Sequence, residues 1–345
     1  MAYSPIAIVG RACVLPGALS PEQLWDAVCA GEDLLSEASP EDFRLSAEAG
    51  SRLMAQMASA QHVSRRATVS PRGGYVRGFG RVFDPEGFDV SKEEVLRLDP
   101  VFQWTLHVAR EALKQAGLKA PNGRSALFLA NLGYETPAYT TFAERVWLAA
   151  QKGAWDGKAA DWAGLPQVDP KNRFSCGYVA HLTAKALGLG EAFGLDAACA
   201  SSLYALHLGC EALHEGRADA VVAAGVNHAD PMIVYVGFGI LQALSPTGQS
   251  RPFDARADGL MPGEGAAAVV LKRLDDALAA GDRIYGLIRG VGVSNDGRAG
   301  GLLVPDVKGQ ARALRQAYEV SGRGPKRLSL LECHAPGTGV GAGIE

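Results

Sequence analysis

The hydrophobic positions of the chain form short, almost continuous apolar runs, separated by longer stretches with helical periodicity. Apolar runs of this length are typical of strands that are buried on both faces of a sheet. Their alternation with helical stretches indicates the α/β class. The strands that this pattern predicts cover residues 6–9, closed by Gly10, and residues 126–130, 192–197, 219–226 and 266–271.

Local signals predict several helices. Ser20 and Ser91 each precede a helical stretch, and Gln23 and Glu94 follow three residues later to complete a capping box. An amphipathic helix is predicted from Pro100 up to Gly117, and another over residues 172–187.

Two further segments stand apart. Residues 49–81 have weak periodicity and many Ser, Arg and Gly residues, which predicts a long surface excursion. After Gly281 a new strand–loop–helix–strand series begins and ends in the run LSLLECH.

Composition narrows the choice of function. A chain of 345 residues with 48% hydrophobic content can bury a core large enough for one large domain or two. The net charge of −3 gives no basic surface for nucleic acid. No apolar run reaches the roughly 18 residues that span a membrane, and the N-terminus has no signal-peptide pattern. The six cysteines show no metal-ligand spacing, so we expect reduced thiols in a cytoplasmic protein without a metal.

The candidate chemistry centres on Cys199 and His334. Cys199 lies where a predicted strand turns into a helix, in the run GLDAACASSLYALHLGCEAL. The free amide N–H groups at the start of that helix favour a thiolate. His334 follows a second predicted strand in SLLECHAPGTG, where its imidazole could move protons or polarise a carbonyl. The alternative is a core cysteine and an unrelated histidine, because only tertiary folding can bring the two together.

The helix after Cys199 is apolar on nearly every side, which predicts a central helix that is covered all round and shields the nucleophile from water. Ser201 and Ser202 could cap it or simply fit a crowded turn, and capping is the prediction. Cys210, Cys176 and Cys333 are interpreted as buried, inert thiols.

Several long runs together resemble the ketosynthase (β-ketoacyl synthase) family of fatty-acid and polyketide synthases. DAACASS with its apolar helix and ECHAPGTG carry the resemblance, and the opening strand and the Asp-Pro helix support it. A long run around GLMPGEGAAAVVLKRL supports it too. Within the family, NHADPMIVYVGFGILQALSPTG is most similar to the iterative synthases of polyunsaturated fatty acids and enediynes.

The resemblance implies a thiolase-like layered fold of two similar α/β halves, usually paired as a homodimer. Residues 1–255 would form the half that carries the nucleophile, and residues 256–345 would begin a truncated second half. It also implies a decarboxylative Claisen condensation of an acyl group on Cys199 with a malonyl-type extender. No cofactor would be tightly bound, because the substrates ride on the phosphopantetheine of an acyl carrier protein within a multidomain synthase. His334 would stabilise the enolate, and Thr338 would contact the pantetheine arm or serve as a turn residue.

The sequence departs from the family pattern near His334. Pro336 replaces a threonine and Ala342 replaces an aspartate. The family also uses a second histidine, preceded by a lysine, and a Gly-Phe-Gly loop, which are expected beyond Glu345. The remaining histidines have no matching context, and His228, which follows a strand, is expected to be structural or solvated. The chain therefore resembles a ketosynthase cut short, as a fragment or as a degraded member.

Two other functions stay open. A thiolase-superfamily acyltransferase that uses coenzyme A would need a second cysteine as base, and Cys333 inside a predicted strand does not fit. A non-catalytic partner of the chain-length-factor type would normally lack the nucleophile, so Cys199 argues against it, while the truncation and Pro336 keep it open.

Overall fold

The computed structural model describes residues 3–39, 42, 70–118, 124–150, 167–298 and 305–345. Within these ranges the strands are β1 Ile6–Val14, β2 Ser36–Glu37, β3 Arg72–Gly73, β4 Ser125–Asn131, β5 Glu191–Leu195, β6 Ala220–Asn227, β7 Gly265–Arg273 and β8 Gly286–Ile288. The helices are α1 Pro21–Ala30, α2 Lys92–Arg97, α3 Pro100–Gln115, α4 Pro137–Ala150, α5 Gly177–Leu187, α6 Ser201–His214, α7 Pro231–Ile240, α8 Leu274–Ala280, α9 Val307–Ser321 and α10 Gly339–Ile344.

Six strands form one mixed sheet in the order β5-β4-β6-β7-β1-β8. Strand β4 pairs in parallel with both β5 and β6, while β7 is antiparallel to β6 and to β1. Because parallel strands end at the same edge of a sheet, the residues that follow β4, β5 and β6 lie near one another. This edge carries the residues of the candidate site.

Helices cover both faces of the sheet. Leu127 and Leu129 of β4 face a core shared with α3 and α5, while Ala126 and Phe128 face a second core beneath α6. Each of these β4 residues is almost fully buried, which explains the continuous apolar run. At Gly10 a Cβ atom would lie 2.1 Å from a backbone oxygen of α3, so glycine allows that helix to pack closely on β1.

The structure confirms the α/β class and most of the predicted elements. Ser20 and Ser91 accept the predicted N-cap bonds from the amides of Gln23 and Glu94. The strand predicted to close at Gly10 instead continues to Val14, because a register shift between Ile8 and Gly10 lets the pairing with β7 resume. The helix predicted over 172–187 is divided into a 3₁₀ turn at Pro170–Phe174 and α5.

The strand predicted for the LSLLECH run is wrong: residues 328–334 have no assigned strand in the described range 305–345. Leu328, Leu330 and Leu331 are 51%, 77% and 58% exposed. A strand needs neighbouring backbone groups with which to hydrogen-bond, and the described residues supply none to residues 329–334. Apolar sequence alone therefore does not make this segment a strand.

Two predictions cannot be compared with described elements in full. Most of the predicted surface excursion over residues 49–81, including His62, lies outside the described residues. The predicted division of the chain into two halves between residues 255 and 256 stays a prediction. Strand β7, which follows that boundary, lies in the middle of the six-stranded sheet. Among the described helices, none is long and apolar enough to cross a membrane.

Candidate active site

Cys199 lies in a tight turn between β5 and α6. Strand β5 ends at Leu195, and α6 begins at Ser201. Ala198, directly before the cysteine, has a φ of 49°, a left-handed conformation that costs an L-residue about 1–2 kcal/mol. Such strain persists only where neighbouring contacts hold the backbone in place.

Two side chains hold this turn. Asp196 accepts hydrogen bonds from the amide of Ala198 at 2.9 Å and from the amide of Gly133, in the loop after β4, at 2.8 Å. The Ser201 hydroxyl accepts from the amide of Ala197 at 2.8 Å and donates to the carbonyl of Ala198 at 2.6 Å. Together these bonds close the turn and attach it to the neighbouring strand.

The role predicted for Ser201 is therefore wrong. The N-cap residue of α6 is Ala200, whose side chain makes no capping hydrogen bond. The Ser201 hydroxyl is already committed to the turn, where its bonds stabilise the strained backbone before Cys199. Asp196 was not predicted as a site residue, although an aspartate directly before a run of small residues is a signal for a side-chain-closed turn.

Cys199 opens into a cavity of about 510 Å³ at the edge where β4, β5 and β6 end. Small residues of β6 and β7 form its floor, which leaves room for a substrate beside the thiol. Asn227, Gly263 and Glu264 form part of its wall. The lining is mainly apolar, which suits an acyl chain better than a charged ligand.

The predicted shielding of the nucleophile is not observed in the described residues. Cys199 is exposed, and Leu203 of α6 is 61% exposed. Helix α6 buries one face, through Ala205, Gly209 and Ala212, against the sheet. The side chains of α6 are apolar nearly all round the helix, yet the described residues cover the helix on one side.

Of the other cysteines, Cys210 agrees with the prediction of a buried thiol, whereas Cys176 and Cys333 do not. Cys13 and Cys210 are buried, whereas Cys176 is exposed and Cys333 is half-buried. Burial raises the pKa of Cys13 to about 11 and also raises the pKa values of Cys176 and Cys210. Those three thiols therefore form thiolate less readily at neutral pH.

His334 lies in the irregular segment before α10. It is exposed and lines a cavity of about 580 Å³ together with Pro336 and Thr338. Thr338 accepts a hydrogen bond from the amide of Gly341 at 3.3 Å and so caps α10. The structure thus brings His334 and Thr338 to one cavity, which shares no lining residue with the cavity of Cys199.

The segment of residues 259–263 links the two cavities. Leu260 lines the cavity of His334, and Gly263 lines that of Cys199. The amide of Gly259 donates to the carbonyl of Gly337 at 3.1 Å, which attaches the segment that carries His334 to this link. Among the described residues, no group of three or more His, Cys, Asp or Glu side chains could hold a metal ion.

The layered sheet with a cysteine at a strand-to-helix turn defines a thiolase-like α/β fold. The chain belongs to the β-ketoacyl synthase family: residues 3–277 match the model "Beta-ketoacyl synthase, N-terminal domain", and residues 285–345 match "Beta-ketoacyl synthase, C-terminal domain". It is a β-ketoacyl synthase domain, and this family consists of condensing enzymes of the transferase class.

Curated relatives are large polyketide synthases. The chain is 36% identical to a phenolphthiocerol/phthiocerol polyketide synthase of Mycobacterium tuberculosis, over 99% of this chain and 17% of that protein. It is 35% identical to a mycocerosic acid synthase-like polyketide synthase of Mycolicibacterium smegmatis, over 99% of this chain and 15% of that protein. The chain therefore spans about a sixth of the length of these relatives.

Solved structures show the same likeness. The PfaC keto synthase–chain length factor superposes with a TM-score of 0.88 at 33% identity, over 99% of this chain and 37% of that one. The oxazolomycin ketosynthase domain of Streptomyces albus gives a TM-score of 0.78 at 27% identity, over 99% of this chain and 55% of that one.

Proposed function

We propose that the chain forms carbon–carbon bonds in polyketide or fatty-acid assembly, with Cys199 as its nucleophile. The observation that carries this proposal is the position of the thiol: it lies on a strained turn at the start of α6 and opens into a mainly apolar cavity. The substrates are acyl and malonyl-type groups on the phosphopantetheine of an acyl carrier protein. The polyketide synthases among the relatives support this class of substrate.

In the first half-reaction the Cys199 thiolate attacks the carbonyl carbon of an acyl thioester. A new sulfur–carbon bond forms, the bond from that carbon to the pantetheine sulfur breaks, and the carrier sulfur leaves as a thiolate, which takes up the proton that the Cys199 thiol released. Because Ala200, the N-cap residue of α6, makes no side-chain capping bond, backbone N–H groups of the first turn stabilise the developing oxyanion.

In the second half-reaction the carrier-bound extender loses its carboxylate as carbon dioxide, and the electron pair of the broken bond forms an enolate. The enolate carbon attacks the acyl group on Cys199, a carbon–carbon bond forms, and the Cys199 thiolate leaves. His334 donates a hydrogen bond to the thioester oxygen of the extender, and Thr338 contacts the pantetheine arm. His334 and Thr338 line the same cavity, which supports contact of both residues with one carrier-bound extender.

A test that separates the half-reactions uses the full-length natural protein. Cys199→Ala should abolish both acyl transfer, measured by intact-protein mass spectrometry, and product formation. His334→Ala should still form the acyl-enzyme but should release no carbon dioxide from the extender. The exposed His181→Gln variant is the control and should keep both activities. Condensation by His334→Ala at the wild-type rate would remove His334 from the mechanism.

The same variants distinguish the alternatives. A non-catalytic partner of the chain-length-factor type predicts that Cys199→Ala leaves product formation unchanged. An acyltransferase that uses coenzyme A predicts saturation with acyl-coenzyme A and indifference to the carrier protein. Preference for the carrier-bound substrate, with loss of product in Cys199→Ala, supports the condensing function over both.

We also propose that two copies of the chain pair through β5. This strand is an outer edge of the six-stranded sheet, and Phe193 on it is 45% exposed while stacking on Phe128 at 5.2 Å. The unpaired backbone of an edge strand can hydrogen-bond to the same strand of a second copy, which gives a symmetric dimer.

A further inference from the structure

His228 lies directly after β6, between the buried carboxylate of Asp99 and the half-buried carboxylate of Glu264. Its Nδ1 atom is 3.0 Å from Oε2 of Glu264, and its Nε2 atom is 3.7 Å from Oδ1 of Asp99. The Trp104 ring packs against the imidazole edge-on at 4.7 Å between centroids. Only 13% of the His228 side chain is exposed, so water contributes little to screening these charges.

The carboxylates set the charge of this histidine. Burial alone lowers the pKa of His228, but the charge of Asp99, the hydrogen bond to Glu264 and the charge of Asp230 outweigh burial and raise it. Arg77 also interacts with the charge of Glu264, but its guanidinium makes two hydrogen bonds to Asp42. Within the described residues, His228 is therefore the cation that neutralises Glu264 directly.

Glu264 in turn connects two parts of the chain. Its Oε1 atom accepts a hydrogen bond from the amide of Val76 at 2.8 Å, and its own amide donates to the carbonyl of Gly74 at 2.9 Å. The amide of Gly74 donates to Pro262 at 2.9 Å. The carboxylate thus holds the segment before β7 against the loop after β3.

That segment is a wall of the Cys199 cavity. Gly263 and Glu264 line the cavity, and Asn227, the residue before His228, also lines it. The Asn227 side chain donates to the carbonyl of Gly263 at 2.7 Å. A change at His228 therefore reaches the cavity by two short routes, through Glu264 and through Asn227.

We propose that His228 is a positioning residue of the condensing reaction: by bridging Asp99 and Glu264, its imidazole holds residues 263–265 in place beside Cys199. The proposal rests on the proposed condensing function, and it adds a residue that touches neither substrate nor thiol. Removal of the imidazole leaves the carboxylates of Asp99 and Glu264 without their shared cation, and these repel each other and shift the wall.

The pH dependence follows from the raised pKa. The bridge is fully formed below the ordinary histidine value of about 6.5 and is lost as the pH rises through the higher folded-state value. Protonated His228 faces Asp99 from the start of α3, Glu264 from the start of β7 and Asp230 from the start of α7. The wild-type protein should therefore lose stability and condensation together on the alkaline side.

The experiment compares three variants in the full-length natural protein. His228→Gln should lower kcat by up to about 100-fold with KM almost unchanged, because displaced catalytic geometry acts on the chemical step. His228→Gln combined with Glu264→Gln should recover much of this loss, because the second amide can keep the Val76 bond and needs no cation. The double variant should also lack the wild-type alkaline loss of stability. His181→Gln, an exposed histidine, is the matched control.

Each outcome decides the proposal. Recovery in the double variant, with loss of the alkaline transition in thermal unfolding, supports it. A single variant with wild-type kcat, or a double variant no better than the single one, overturns it. Thermal unfolding measured as a function of pH needs no substrate. A failure of the condensing function would therefore be seen separately, as a wild-type protein that forms no carbon–carbon bond.

Discussion

At the scale of single residues, the surroundings of each cysteine decide what its thiol can do. Cys13 and Cys210 are removed from water, and burial raises both pKa values. Cys176 is exposed, but partial burial of its sulfur raises its pKa too. Cys199 instead lies in an exposed turn at the start of α6, whose N-cap residue, Ala200, makes no side-chain capping bond.

These differences predict the order of alkylation at neutral pH. Cys199 should react with iodoacetamide faster than Cys176, and Cys13 and Cys210 should react last, because alkylation requires thiolate and access. Peptide mapping over a time course measures the order. An acyl-thioester substrate should protect Cys199 and leave exposed Cys29 unprotected.

The control is Cys176→Ser, which should leave the rate at Cys199 unchanged. Faster labelling of Cys176 than of Cys199 would contradict the assignment of the nucleophile.

At the scale of elements, α6 depends on close packing against the sheet. A Cβ atom added at Gly209 would lie 2.9 Å from Cγ1 of Val221 and 3.3 Å from Cδ1 of Leu271. Both neighbours are fully buried, so they have little room to move. The glycine therefore sets the distance between the nucleophile's helix and β6.

A matched pair of substitutions tests this packing. Gly209→Ala should destabilise the protein by about 1–3 kcal/mol, because overpacking of a core outweighs the gain in helix propensity. Gly237→Ala in α7, where a Cβ atom would meet nothing within 4 Å, should stabilise it by about 0.5–1 kcal/mol. Denaturant unfolding of both variants measures the difference, and equal effects would contradict the packing argument.

The LSLLECH run shows what local patterns leave out. Its leucine-rich run predicts a strand, as the apolar run of β4 does. Strand β4 has a neighbouring strand on each side, whereas residues 328–334 pair with no strand among the described residues. The backbone therefore forms a strand in one case and an irregular segment in the other.

At the scale of the whole molecule, buried His107 and half-buried His228 give the stability opposite dependences on pH. His107 is 6% exposed, lies among the rings of Phe79 and Phe83, and its Nδ1 atom has no partner in the described chain. Burial lowers its pKa to about 4. His228 has a raised pKa because its carboxylate neighbours outweigh burial.

His107 should make the protein sensitive to acid. Below about pH 6.5 the unfolded chain takes up a proton at this residue and the folded chain does not, so stability falls as the pH drops. By pH 4 the loss should reach up to about 3 kcal/mol. His107→Phe should flatten the free energy of unfolding between those values, and His181→Gln should not. An unchanged slope in His107→Phe would refute the assignment.

The proposed dimer gives the last prediction. Phe193→Glu should convert a dimer into a monomer in sedimentation velocity, because it places two like charges at the edge where the copies would meet. Leu278→Glu is the control: this residue is 62% exposed on α8, a helix that contacts β1 and β7 rather than β5, and should leave the dimer intact. A wild-type protein that stays monomeric as its concentration rises would contradict the pairing.

Much of the fold could be predicted from local patterns. Strands buried on both faces have to be continuously apolar, so β4, β6 and β7 are visible in the sequence, and capping side chains mark where helices begin. Cys199 was recognisable for the same reason, because a cysteine between an apolar strand and an apolar helix is a local feature.

Contacts between distant segments could not be predicted in this way. The Asp196 bond to the loop after β4 joins residues far apart in the chain, and so does the bridge from Asp99 through His228 to Glu264. The exposure of Cys199 likewise depends on which distant segments pack beside it. An apolar or polar pattern records which side chains avoid water but not which neighbours will cover or pair with them. Only the packed sheet decides that, because hydrogen bonds and charges act over a few ångströms in space.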